Sequence, residues 1–98
     1  IWKGKKMTPE ERLETVRRIV NARLADMGII SDVFAGTPEL ILSSEWRIPL
    51  NFLRREPTRR EVRPLGLEVR LQEPGLQRVS FPTAEEIRQA IARQRGSP

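Results

Sequence analysis

Arginine is the residue type whose spacing most strongly suggests chemistry in this chain. Residues 53–64 read LRREPTRREVRP, in which five arginines are accompanied by two glutamates. Guanidinium groups stay charged and bind phosphate oxygens bidentately, so this inter-strand loop is typical of a surface that lies along a nucleic-acid backbone. The alternative is a solvated loop whose arginines pair with Glu56, Glu61 and their neighbours. The candidate phosphate-binding residues are Arg54, Arg55, Arg59, Arg60 and Arg63.

The lysines form a second basic cluster. All three, Lys3, Lys5 and Lys6, lie within the first six residues, and none of those six is acidic. Nucleic-acid-binding proteins use basic arms of this kind on phosphates or in a groove, so we predict an auxiliary binding arm. A disordered terminus, or a remnant of other sequence ahead of Met7, is the alternative. The rest of the chain holds ten arginines against eleven acidic residues, which indicates a near-neutral body.

The chain has no histidine and no cysteine. Histidine is the commonest general base and metal ligand, and cysteine is needed for disulfides, thiolate metal sites and thiol nucleophiles. The adjacent carboxylates Glu10–Glu11 and Glu85–Glu86 are explained by helix starts, and the glycines are scattered singly rather than gathered in a phosphate-binding loop. We therefore predict a non-enzymatic protein with no catalytic residue, no metal site and no cofactor.

The elements that position these charges begin with a helix over residues 8–27. Thr8 and Glu11 have the spacing of a capping box, and Pro9 falls at the first helical position, where its missing N–H is not needed. Gly28 stands where a left-handed residue ends a helix. The apolar stripe recurs every three or four residues, at Leu13, Val16, Val20, Leu24 and Met27.

A second helix is predicted over residues 83–95. Thr83 and Glu86 repeat the capping-box spacing, and arginines in the last turns, Arg93 and Arg95 among them, complement the helix dipole. Its apolar stripe is shorter and consists of Ile87, Ala90 and Ile91.

Between the helices the apolar period changes to two, which is typical of half-buried strands. Alternation predicts strands around residues 46–52, 65–71 and 78–81, with a less certain fourth strand at 39–43. The Pro74–Gly75 pair predicts a type II turn that joins the last two of the three strands in a hairpin. Pro49 has no N–H to donate, so its strand is expected at a sheet edge or a bulge. Residues 29–37 fit either a short strand or a packed loop.

We predict one α+β domain over residues 8–96, with a basic tail at 1–7 and a terminal tail at 97–98. An N-terminal helix precedes an antiparallel sheet of three to four strands, and a C-terminal helix follows. Both helices are expected to pack on one sheet face. That face would carry Trp46, Ile48, Leu50, Phe52, Leu65, Leu67, Val69, Leu71, Val79 and Phe81.

These patterns favour a nucleic-acid-binding domain that contacts the phosphate backbone, with DNA and RNA both open. The alternative is a protein–protein interaction or assembly module, homo-oligomers included. It would use the edge strand with Pro49, the arginine loop against an acidic partner and, if exposed, the apolar residues of 29–37. No apolar stretch approaches the roughly 18 residues of a membrane span and no secretory leader is visible. We therefore expect an intracellular protein, cytoplasmic or nucleoid-associated, without a membrane partner.

Overall fold

The computed structural model describes residues 7–29, 32–42, 44–55 and 59–95. Two helices enclose a run of five strands along the chain, which confirms the predicted α+β class with one strand more than expected. The predicted tails lie outside the described residues except for Met7. The elements are α1 (Pro9–Asp26), β1 (Val33–Ala35), β2 (Glu39–Ile41), β3 (Glu45–Arg55), β4 (Arg60–Gln72), β5 (Gln77–Ser80) and α2 (Ala84–Arg95).

Both predicted helix starts are confirmed by their caps. The hydroxyl of Thr8 accepts from the Glu11 amide at 3.1 Å, and the Glu11 carboxylate accepts from the Thr8 amide at 2.9 Å. Thr83 and Glu86 make the same two bonds at 3.1 and 2.8 Å. These bonds satisfy amides that a helix start leaves without partners. α1 is followed by Gly28 in the left-handed region, at φ +84°.

The sheet is antiparallel and has β3 in its interior. The strand order is β1, β3, β4, β5, and β2 pairs with the same side of β3 as β1 does. The strand with Pro49 is therefore not an edge strand. The other expectation for it, a bulge, is confirmed, because the β3–β4 register shifts between Pro49 and Asn51. β2 pairs with residues 45–47 and β1 with residues 50–52, so Pro49 lies beside the gap between them, where no ladder donor is required.

One buried cluster joins both helices to one face of the sheet. The predicted face is confirmed at most positions, with Leu67 and Phe81 only partly buried. The prediction that Val79 lies on this face is wrong, because its side chain is 52% exposed. Leu76 is buried instead. Residues buried on the sheet include Trp46, Ile48, Leu50, Phe52, Leu65, Val69 and Leu71, and those on the helices Val16, Val20, Leu24, Ile87 and Ala90.

The hairpin predicted around Pro74–Gly75 is confirmed, but its turn type is not. β4 and β5 pair from Gln72 with Gln77 outwards. A type II turn needs a positive φ at Gly75. The positive φ, 53°, belongs instead to Leu76, whose side chain is 7% exposed and joins the core.

Residues 29–37 divide between core and strand. Ile29 and Val33 are 7% and 9% exposed, and Val33 begins β1. Ile30 lies outside the described residues. The apolar side chains of Ile29 and Val33 therefore do not form the exposed docking patch that the assembly hypothesis considered.

β3 and β4 extend well beyond the other strands, with 11 and 13 residues. Their register shifts where Pro49 pairs with Glu68 but Asn51 pairs with Pro64. Extra residues on β4 therefore bulge opposite β3, and Gly66 within them has φ +86°, a conformation that glycine adopts without strain. Beyond this bulge the two strands continue as a pair towards residues 55 and 60.

Candidate nucleic-acid interface

The arginine-rich segment is a paired strand extension rather than the predicted twelve-residue loop. β3 continues to Arg55 and β4 begins at Arg60, so only Arg59 among the five candidate arginines stands outside a strand. The sequence pattern indicated a loop because alternation of buried and polar residues stops after Phe52. Backbone pairing continues without a buried face there, and Val62, a residue type favoured in strands, was the available signal.

We call residues 53–55 and 60–63 the ribbon. Its cross-strand pairs are Leu53 with Val62, Arg54 with Glu61, and Arg55 with Arg60. β1 pairs with β3 only as far as Phe52, and β5 pairs with β4 only at residues 70–72. The Leu53 amide still donates to the Asp32 carbonyl at 2.7 Å. Beyond Leu53 the ribbon has two strands, and no third strand pairs with it among the described residues.

Alternation along the strands gives the ribbon two distinct faces. Successive side chains on a strand point to opposite sides. Because Phe52 points into the core, its neighbour Leu53 and every second residue from there point away from the core, as do the residues that pair with them. We call this second set, Leu53, Arg55, Arg60 and Val62, the outer face. Val62 is 57% exposed there, and Arg55 and Arg60 are exposed.

The outer face brings two arginines directly opposite each other. Arg55 pairs with Arg60 in the ladder, and like charges in such cross-strand pairs are destabilising. The chain contains a second pair of this kind, Arg47 with Arg70, near the other end of the same two strands. The two pairs differ in their acidic surroundings.

Carboxylates surround the Arg47–Arg70 pair. Arg47 lies 2.8 Å from Glu39 and 3.7 Å from Glu68, while Arg70 lies 3.1 Å from Glu68 and 3.4 Å from Glu45. The hydrogen bond to Glu39, and then the charges of Glu39 and Glu68, raise the pKa of Arg47 above its ordinary value. This like-charge pair is neutralised within the protein.

Among the described residues, Asp32 supplies the one carboxylate that contacts the Arg55–Arg60 pair. Asp32 accepts from Nε of Arg55 at 3.0 Å, and the terminal amino groups of Arg55 make no hydrogen bond to another described residue. The guanidinium groups of Arg59 and Arg60 make no hydrogen bond or ion pair within the described part of the chain, and both side chains are exposed. Within the described residues, the positive charges of Arg59 and Arg60 therefore have no carboxylate partner.

The other two candidate arginines lie on the inner side of the ribbon. Arg63 lies 3.3 Å from Glu61 and has a side chain 35% exposed, so its charge is partly balanced. Arg54, opposite Glu61 in the ladder, lines a cleft at the base of the ribbon. Lys3, Lys5 and Lys6 lie outside the described residues, and the basic arm remains a prediction.

Arg95, which the sequence suggested only as a partner of the α2 dipole, joins this region. Its guanidinium carbon lies 5.9 Å from the centre of the Phe52 ring, and its Nη2 lies 3.9 Å from Asp32. Nothing in the sequence pattern placed the end of α2 beside β3. The cleft that results has a volume of about 380 Å³ and is lined by Asp32, Phe52, Leu53, Arg54, Arg55 and Arg95.

The acidic residues are not gathered for metal binding in the part of the chain that is described. No group of three or more acidic side chains close enough to hold an ion is found there. Within the same ranges, neither helix has the length and apolar character needed to cross a bilayer. The chain matches no family model, no curated protein and no solved structure.

Proposed function

We propose that this protein is a non-enzymatic nucleic-acid-binding protein that contacts the phosphate backbone through its ribbon. The observation that carries the proposal is the exposed Arg55–Arg60 pair. Among the described residues it contacts only the Asp32 carboxylate, whereas Arg47 and Arg70 contact Glu39, Glu45 and Glu68. Arg59 adds a third exposed guanidinium beside it. Arg54 and Arg63 would contribute from the inner side, and the lysines of residues 3–6 would serve as an auxiliary arm.

Phosphate is the chemical group that this arrangement suits. A phosphodiester oxygen placed between two opposed guanidinium groups offsets their mutual repulsion and accepts charge-assisted hydrogen bonds from both. Arginine can make these bonds bidentately, in a fixed fork geometry. Repeated along a backbone, such contacts release condensed counterions, which gives affinity without sequence selectivity. A cytoplasmic or nucleoid location would bring the protein to such a partner, and no cofactor is required.

The salt dependence of binding tests the proposal. For the wild-type protein, log K should fall linearly with log salt concentration, by roughly 0.7–0.9 per phosphate neutralised. Replacing both Arg59 and Arg60 by alanine should weaken binding to all sequences and make the slope shallower by about one per arginine removed. Fluorescence anisotropy with labelled DNA and RNA at several salt concentrations measures both quantities.

The double variant Arg18→Ala, Arg78→Ala provides the matched control. Both arginines are exposed, and neither makes a hydrogen bond or ion pair within the described residues. Arg78 pairs with Leu71, which lies opposite Trp46, while Arg60 lies opposite Arg55. These pairs are nine positions apart along β3, or about 30 Å at roughly 3.3 Å per residue. The control loses the same charge and should retain nearly the wild-type slope. Equal slopes for both double variants, or no binding to either nucleic acid at low salt, would overturn the proposal.

The alternative, an assembly module, now has a different candidate edge. All four residues of β5, Gln77–Ser80, are exposed, and its outer side pairs with no other described strand. A second copy of the chain would add a strand there, with Val79 in the contact. If Val79→Lys abolishes a dimer seen in sedimentation, while the Arg59–Arg60 variant leaves it intact, assembly is favoured over nucleic-acid binding as the role of the chain.

A further inference from the structure

We infer that the partner is B-form duplex DNA and that the outer face of the ribbon enters its major groove. This inference rests on the proposed function and narrows it from nucleic acid in general to one form. It is carried by the two-stranded cross-section of the ribbon, by its continuation past the last residue that pairs with β1, and by the apolar pair on its outer face.

The cross-section and reach of the ribbon fit one groove. The B-form major groove is about 12 Å wide and 8.5 Å deep, and it admits a two-stranded β-ribbon. Beyond Phe52, where β1 stops pairing, β3 runs for three more residues to Arg55, or about 10 Å at roughly 3.3 Å per residue. The major groove of A-form RNA is deep and narrow and excludes such an element.

The outer face combines charge with an apolar pair. Leu53 and Val62 lie opposite each other, next to the Arg55–Arg60 pair on the same face. Val62 is 57% exposed, and an apolar side chain gains nothing from a charged phosphate. The major groove offers it the thymine methyl groups, while arginine at the groove edge reaches phosphate or guanine.

The opposite face is less available to a partner. There the guanidinium of Arg95 lies near Phe52, and the side-chain amide of Gln94 donates to the Pro64 carbonyl at 3.3 Å. The end of α2 therefore stands against the inner side of the ribbon at its base. Leu53 and Arg55 also border the cleft beside Arg95, whereas Arg60 and Val62 do not line it and are exposed. The outer face is therefore the one that can approach base edges, chiefly through β4.

Two exposed valines provide the test. Val62→Thr keeps the shape and the β-branch but adds a hydroxyl to the apolar pair, and it should weaken binding to duplex DNA about fivefold, the loss expected for one small apolar contact. The salt slope should stay unchanged because no phosphate contact is removed. Val79→Thr makes the same change on β5, where the valine is 52% exposed, and should leave affinity unchanged.

The probes are one mixed sequence prepared as duplex DNA, duplex RNA and single-stranded DNA. We expect the tightest binding to duplex DNA, and no competition from netropsin, which fills the minor groove. Equal affinity for duplex RNA, competition by netropsin, or equal effects of the two valine substitutions would each overturn the inference. If one of these results is found, the salt slope of the Arg59–Arg60 variant still tests the proposed function separately. Absence of binding to all three probes would overturn both the inference about duplex DNA and the proposed function.

Discussion

The carboxylate of Asp32 accepts a hydrogen bond from Nε of Arg55 at 3.0 Å. Asp32 directly precedes β1, has φ 67°, and its side chain is only 14% exposed, while that of Arg55 is 56% exposed. The carboxylate thus fixes the guanidinium group of Arg55 at its Nε atom. The two terminal amino groups make no hydrogen bond to another described residue. Under the proposed function, Asp32 would therefore position Arg55 for a phosphate.

Asp32→Asn and Asp32→Gly separate this positioning from the effect of charge. Both remove one negative charge, and both residue types tolerate a positive φ. Only asparagine retains an oxygen that accepts from Arg55. We expect Asp32→Asn to bind DNA roughly 2- to 10-fold more tightly than Asp32→Gly, because ordering one long side chain costs about 0.5–1.5 kcal/mol.

Titration of the same DNA probe with both Asp32 variants, below their melting midpoints, measures that ratio. The two Asp32 variants should bind with equal affinity when Arg55 is also replaced by alanine. Equal affinities of Asp32→Asn and Asp32→Gly in the presence of Arg55 would show that the carboxylate acts through charge alone.

The sheet face that packs against the helices can be tested at Ile48, which is fully buried. Ile48→Ala should lower the free energy of unfolding by about 2–5 kcal/mol through lost burial and a residual cavity. Val79→Ala, at a position 52% exposed, should change it by no more than about 0.5 kcal/mol. Urea unfolding curves provide both values, and similar losses at the two positions would contradict the assigned faces.

The cap of α1 predicts a smaller effect on stability. Thr8→Ala removes the hydroxyl that accepts from the Glu11 amide and should cost about 1 kcal/mol. Thr8→Ser keeps the hydroxyl and should stay close to wild type. If thermal melts place the alanine and serine variants at the same midpoint, the hydroxyl does not stabilise the helix start.

The parts of the fold that the sequence predicted well depend on local spacing. A threonine and a glutamate three residues apart define each helix start, since the capping bonds are made within one turn. Alternation at Ile48 and Leu50 likewise reports a buried face directly. These signals do not depend on which other segment packs against them.

The errors concern relationships between distant segments. Pro49 suggested an edge strand because it has no N–H to donate. No sequence pattern shows that β1 and β2 divide one side of β3 and leave a gap beside Pro49. Arg95 could not be placed near Asp32 because their contact depends on how α2 docks on the sheet. The opposition of Arg55 and Arg60 also depends on register, although their composition alone suggested phosphate binding.

Binding of nucleic acid at the ribbon is tested most directly by amide chemical-shift mapping in NMR. Titration of the labelled protein with a short DNA duplex at low salt should shift the amides of residues 53–55 and 59–63, together with the Nε–H signals of Arg55, Arg59 and Arg60. The amides of β5 and of the exposed side of α1 should stay in place. Shifts confined to β5 or α1, or no shifts at all, would contradict the account.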